Sequence, residues 1–187
     1  MDEFKISTDR SGEMNFGILL DQHGLIVASA LGRNARSVGS FLQNYSRRII
    51  GRPPVEDEKA TMADMIALFE GKKPSKLCKL NVSYTTSFQS RVHKVMSKIP
   101  RGRVTTYGLI AKKLETGSRA VGNAVASNPW PIFIPCHRVI PSNLSVGNYS
   151  ICGTLGVQGS STKLELLQRE GVPIDVNTVA AKAVWIP

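Results

Sequence analysis

The chain has 187 residues, of which 42% are hydrophobic and 20% charged, and it carries a net charge of +10. That is the composition of a soluble globular protein with room for one large or two small domains, and no apolar run approaches the roughly 18–20 residues of a membrane span. Three scattered cysteines argue against a disulfide framework, and MDEFKISTDR carries no secretory signal, so a reducing, cytoplasmic setting is expected.

The charge is lopsided. Residues 1–87 hold 12 Lys and Arg against 10 Asp and Glu, whereas residues 88–187 hold 12 against 4. A polyanion such as nucleic acid is therefore a candidate partner for the second half, against the plainer reading of a solubilising charge. In chain order, MNFGILLDQHGLIVASAL gives two apolar runs around Asp21–Gly24, a hairpin signal. Val38, Phe41, Leu42, Tyr45 and Ile49 recur at helical spacing, with Gly51 and Pro53 as stops. Met62, Met65, Ile66 and Phe69 repeat that pattern before Gly71 and Pro74, and KLNVSY reads as a short strand. His23 in its turn and Cys78 without a ligand-spaced neighbour read as structural, and residues 1–84 form a small α/β domain.

Residues 85–187 read as a second domain. SFQSRVHKVMSKIPRG is an amphipathic helix with Phe88, Val92, Val95 and Ile99 on one stripe, and its His93 reads as a surface or satisfied histidine. Thr106 is placed to cap a helix to about Leu114, and Ser118 a second one to about Ser127, with Gly117 between them. Two short helices around such a turn make a helix-turn-helix signature. The second helix is nearly bare: Ala120, Gly122, Ala124, Ala126 and Ser127 leave little side chain to hold another body off. Packing against a neighbouring helix is one use for it. With Arg119 at its start in a basic half-chain, docking into a DNA groove is the stronger reading, and the narrow minor groove would admit so slim a helix.

Next comes NPWPIFIPCHRVIP, residues 128–141. Pro129, Pro131 and Pro135 fix φ and make the approach to Cys136 stiff and non-helical. Beside the thiol stands His137. A histidine can draw off a thiol proton, and the thiolate is the nucleophile. In a regular strand the two side chains would point to opposite faces, so the partnership needs a turn or a bridging water. The imidazole needs an orienting group in turn. STKLELLQREGV offers Glu165, within a Thr162-x-x-Glu165 capping box, and Glu170 just before Gly171. Spacing alone does not choose between them.

Together, RAVGNAV, NPWPIFIPCHRVIP, VGNYS and KLELLQREG resemble the methylated-DNA–protein-cysteine methyltransferase family, the O6-alkylguanine-DNA alkyltransferases, over about residues 86–172. The resemblance implies an α/β (α+β) chain, with a small N-terminal α/β domain and a mainly helical, winged-helix-like C-terminal domain. It implies that Cys136 accepts the alkyl group within a Cys–water–His–Glu network completed by His137 and Glu170. It gives Tyr107 the task of assisting the leaving guanine, Arg119 that of filling the space of a flipped base, and Asn128 that of a hinge. Ala120, Gly122, Ala126, Ser127 and Arg138 would lie at the DNA, and Val146, Tyr149 and Ser150 would close over the base. The partner implied is double-stranded DNA, bound through its minor groove by a monomer with no cofactor and no metal. Two departures stand out: Ile151 and Cys152 follow Ser150 where a small residue is usual, and ICGTLGVQGSST is longer than usual. A plain helix-turn-helix protein or lesion sensor would not need the reactive Cys136, and a Cys–His hydrolase would leave the basic half unexplained.

Overall fold

The computed structural model describes residues 3–57, 62–75, 79–152, 154–155 and 157–187. The expectations for Cys78 therefore fall outside the described residues. Two compact units are present.

The first unit comprises residues up to Tyr84, together with Pro129–Phe133, Ile151 and Cys152. Its sheet has the order β3-β2-β1-β4, built from β1 (Lys5–Ser11), β2 (Met14–Leu20), β3 (Ile26–Gly32) and β4 (Val55–Glu56). The expected hairpin is β2–β3, with Phe16 opposite Leu31 and Leu19 opposite Ala28. Strand β1 was not anticipated. KISTDRS is mostly polar and shows only Ile6 and Ser7 buried, yet it pairs along the whole of β2. Helix α1 (Ala35–Ile50) lays Val38, Leu42 and Tyr45 on this sheet. It starts at Asn34, whose side chain accepts from the Ser37 amide, and stops at Gly51 in the left-handed region. Helix α2 (Ala63–Phe69) buries Met65 and Phe69. KLNVSY is not a strand: Leu80 makes one isolated bridge to Ile26, and Val82–Tyr84 is a 3-10 turn. The free edge of β3 is covered by the proline segment, because the Ser29 amide donates to the Pro129 carbonyl and Trp130 Nε1 donates to the Ile26 carbonyl. Trp130 is fully buried there.

The second unit comprises Thr85–Asn128, Ile134–Ser150 and the residues after Gly153. Helix α3 (Ser87–Met96) opens with a complete capping box between Thr86 and Gln89. His93 is buried on it, not on the surface, with Nε2 3.4 Å from the Ala124 carbonyl. Strand β5 (Thr105–Thr106) leads into α4 (Tyr107–Lys113), where the Thr106 side chain accepts from the Leu109 amide as expected. Helix α5 (Ser118–Ala126) follows, but its cap is Gly117 and Ser118 is already helical. The chain then reaches a 3-10 turn at Cys136–Arg138 and β6 (Val139–Ile140), which pairs in parallel with β5. Short strands β7 (Ser150–Ile151) and β8 (Thr154–Leu155) precede α6 (Val157–Arg169). Thr162 lies inside α6 and is buried, so the capping box expected from Thr162 and Glu165 does not exist. The hairpin β9 (Ile174–Asp175) and β10 (Thr178–Val179) adds Val179 to a core with Val104, Ile140, Leu167 and Val172. Among the described residues no helix is long and apolar enough to cross a membrane. No described group of three or more His, Cys, Asp or Glu is placed to hold a metal ion.

Candidate active site

Cys136 begins its 3-10 turn directly after Pro135 and is 7% exposed. The proline segment is non-helical, as expected, but it is not a straight spacer: it turns at Pro131–Phe133 with Ile132 at φ +76°. The turn at 136–138, not a strand, decides how thiol and imidazole are presented. His137 is 2% exposed, and its Nε2 lies 3.0 Å from Glu170 Oε1. Glu170 is therefore the carboxylate that holds the histidine. Glu165 is engaged with Arg169 one turn along α6, at 2.8 Å.

The electrostatics fix the protonation states. Burial pushes the Glu170 carboxyl up, but hydrogen bonds from His137 and Arg138 outweigh it and bring the value down to about 2. An ionised Glu170 can only accept, so Nε2 of His137 carries the hydrogen and Nδ1 is bare. Burial also holds the His137 imidazole neutral by lowering its pKa, with Arg138 and Lys163 adding to that and Glu170 opposing it. Nδ1 is buried and has no hydrogen-bond partner among the described residues. The Cys136 thiol is pushed up by burial and drawn back by the side chains of Asn128 and Tyr149 and by the charge of Lys163.

Asn128 sits just past α5, and its Nδ2 donates to the Ile134 carbonyl at 2.9 Å while its side chain also reaches the thiol. The Tyr149 hydroxyl is 3.7 Å from Cys136 Sγ. Tyr107 is half-buried in the first turn of α4, near enough for the thiol's charge to raise its pKa, after burial. Ser150 is half-buried beside Tyr149. On α5, Val121, Ala124 and Val125 face inward, while Arg119, Ala126 and Ser127 are exposed and Ala120 and Gly122 half-exposed.

Two expected contacts lie elsewhere. Arg138 is not presented outward: Nε and Nη2 bind the two Glu170 oxygens at 2.7 and 2.6 Å, and Nη1 donates to the Ile99 carbonyl at 2.7 Å. All its nitrogens are committed, so it braces Glu170. Val146 is 1% exposed and belongs to the hydrophobic core with Val104 and Ile140. One residue was missed altogether. Lys163, in the quoted KLELLQREG, is 1% exposed and donates to the Val139 carbonyl at 2.8 Å. Its only signal was a lysine in step with the apolar positions Leu166 and Leu167 of α6.

Gly159 lets α6 come close to the Tyr149 backbone. A Cβ at this helical position would land on the Tyr149 carbonyl oxygen. Gly159→Ala should therefore lower stability, by about 1–3 kcal/mol for an overpacked site, although alanine in a free helix position gains about 1 kcal/mol over glycine. Thermal unfolding reads the sign, and a stabilised variant would contradict the close approach.

Comparison with known proteins agrees with this geometry. The family described as the DNA-binding domain of 6-O-methylguanine DNA methyltransferase matches residues 87–172. A methylated-DNA–protein-cysteine methyltransferase of Thermococcus gammatolerans is 36% identical over 139 residues, 73% of this chain and 74% of that protein. The crystal structure of O6-methylguanine-DNA methyltransferase from Pyrococcus kodakaraensis superposes with a TM-score of 0.72 at 26% identity, covering 90% of this chain and 99% of that one. A Mycobacterium tuberculosis OGT solved in complex with DNA gives 0.68 at 27% identity, over 89% and 92% of the two chains. The chain belongs to the methylated-DNA–protein-cysteine methyltransferases, which repair DNA by moving an alkyl group onto a cysteine of their own.

Proposed function

We propose that Cys136 is the acceptor cysteine, that the donor is an O6-alkylguanine rotated out of double-stranded DNA, and that each chain reacts once. The observation that carries this is the hydrogen bond between Glu170 and His137, the residue next to Cys136 on the same turn, with a bare, buried Nδ1 on the histidine. Nδ1 takes the thiol proton, directly or through one water, and ionised Glu170 stabilises the imidazolium that results. The thiolate attacks the alkyl carbon: an S–C bond forms, the C–O6 bond breaks, and its electron pair leaves on the guanine. The Tyr107 hydroxyl supplies the proton that the departing base needs. A thioether carbon has no ready route off, which makes the step stoichiometric.

A base inside a duplex cannot present O6 to a buried thiol, so flipping is required, at a cost of a few kcal/mol. Arg119, exposed at the start of α5, fills the gap on this reading. Ala120, Gly122, Ala126 and Ser127 supply the thin face that enters the minor groove. On this reading residues 1–84 are a supporting domain and residues 85–187 carry the reaction. The protein works as a monomer, inside the cell where DNA is reached. The test is intact-mass analysis after incubation with excess duplex carrying one O6-methylguanine. One methyl per chain, on the Cys136 peptide, is expected; turnover, or a label on Cys78 or Cys152, would overturn it.

Gly122 tests the groove face separately. A Cβ there meets no atom within 4 Å, and it sits in the interior of α5. Gly122→Ala should stabilise the fold by up to about 1 kcal/mol. It should nonetheless weaken duplex repair while sparing alkyl transfer from free O6-benzylguanine. Equal rates on duplex DNA for the two proteins would remove this face from the interface.

A further inference from the structure

We propose that Lys163 is a positioning residue for the alkyl transfer: its buried ammonium supplies the positive charge that holds the Cys136 thiolate. The inference rests on Cys136 being the acceptor. An ammonium buried to 1% exposure is costly unless something compensates it. Nζ donates to the Val139 carbonyl at 2.8 Å and to the Asn148 carbonyl at 3.4 Å, and no carboxylate pairs with it among the described residues. Those two carbonyls belong to the two segments that hold the thiol. Val139 follows the Cys136 turn, and Asn148 precedes Tyr149, whose hydroxyl meets Sγ. Gly147, at φ +73°, keeps the loop close; a Cβ there would strike the Pro141 ring and come within 3.9 Å of Nζ.

The charges of the buried cluster point the same way. Around the thiol are Asn128, Tyr107, Tyr149 and Lys163, and around the neighbouring His137 are Glu170, Arg138 and again Lys163. His137 is held neutral, the tyrosines are pushed up, and Glu170 is committed to His137 and Arg138. Two cations thus face one carboxylate, and the thiolate is the second negative charge that balances the set. Lys163 itself is brought down by burial to about 8, with Cys136 opposing that fall.

The experiment measures the pH midpoint for alkylation of Cys136 by iodoacetamide, followed by mass, in wild type, Lys163→Met and Lys163→Arg. This readout needs no DNA and no repair activity, so it separates this inference from the acceptor assignment. With Met the midpoint should rise by about one pH unit or more, making the thiolate roughly tenfold scarcer at a given pH below it. Arg, which keeps the charge, should stay near wild type. A folded Lys163→Met with an unmoved midpoint overturns the proposal, since a lysine that merely ties two carbonyls would not set it. Should the Met variant fail to fold, the wild-type chain decides. The Lys163 amine, titrated by NMR, should lose its proton at lower pH once Cys136 is S-methylated, and an unchanged titration overturns the proposal.

Discussion

Replacing Glu170 by glutamine is expected to cost both the reaction and the fold. An amide at that position no longer fixes which nitrogen of His137 carries the hydrogen, and it offers the imidazolium no charge. Alkyl transfer from free O6-benzylguanine should fall by roughly 10²–10⁴, the usual range for a disabled acid–base relay. It also leaves the Arg138 guanidinium, only 16% exposed, without its carboxylate, at about 3 kcal/mol. The acid limb separates the two proteins further. Glu170 titrates lower in the folded chain, about 2, than in the unfolded one, near 4.3. Its contribution is thus full above the unfolded value and is lost as pH falls from there toward 2, amounting to about 3 kcal/mol. His137 and His93 are both held neutral with lowered pKa, so protonating them erodes stability earlier, as pH drops below about 6.5. Glu170→Gln should keep the upper step and lose the lower one in acid-unfolding curves. A variant that reacts within a few-fold of wild type would remove Glu170 from the mechanism.

S-methylation of Cys136 should leave a less stable protein. The thiol lies at 7% exposure, in contact with the Asn128 side chain and the Tyr149 hydroxyl. A methyl group must push one of them aside, an overpacking that typically costs about 1–3 kcal/mol. For a chain of this length that corresponds to roughly 2–4 °C in melting temperature per kcal/mol. The displaced group is most readily Asn128, whose Nδ2 bond to Ile134 ties α5 to the Cys136 turn. Melting curves of free and methylated protein decide the matter. An equal or higher transition for the methylated form would mean the site has room.

Local pattern carried much of the fold. The β2–β3 hairpin was legible because two apolar runs flank Asp21–Gly24, and α1 because its apolar spacing ends on a glycine. Strand β1 was not, since pairing along β2 and not its own side chains makes KISTDRS extended. Helix α6 begins before its apolar spacing does, which misplaced its start at Thr162. At the site, the residues themselves offered Cys136 beside His137, and resemblance chose Glu170; Glu165 and Glu170 lie five positions apart, which gave no basis for choosing by spacing. Arg138 was placed at the DNA by resemblance alone, and its carboxylate partner, Glu170, lies 32 residues away in the sequence where no local pattern shows it. Lys163 was missed because its one signal, a place in step with Leu166 and Leu167, is shared by lysines that lay their stems on a core and keep the ammonium in water.

The bare face of α5 also bears on how fast undamaged DNA is let go. Between Arg119 and Ser127 its exposed positions hold only Asn123 and Ala126, with Ala120 and Gly122 half-exposed. If this is the face that meets DNA, as proposed above, its methyl groups and glycine would make almost no hydrogen bonds to base edges, and Asn123 alone would add to phosphate attraction at an ordinary base pair. Residence times should then be brief and nearly independent of sequence, and the chain would shift along the duplex while breaking few specific bonds. Lesions would be told apart by which base yields to extrusion and reacts, so that patrol speed would be set by how little side chain Ala120, Gly122 and Ala126 put forward.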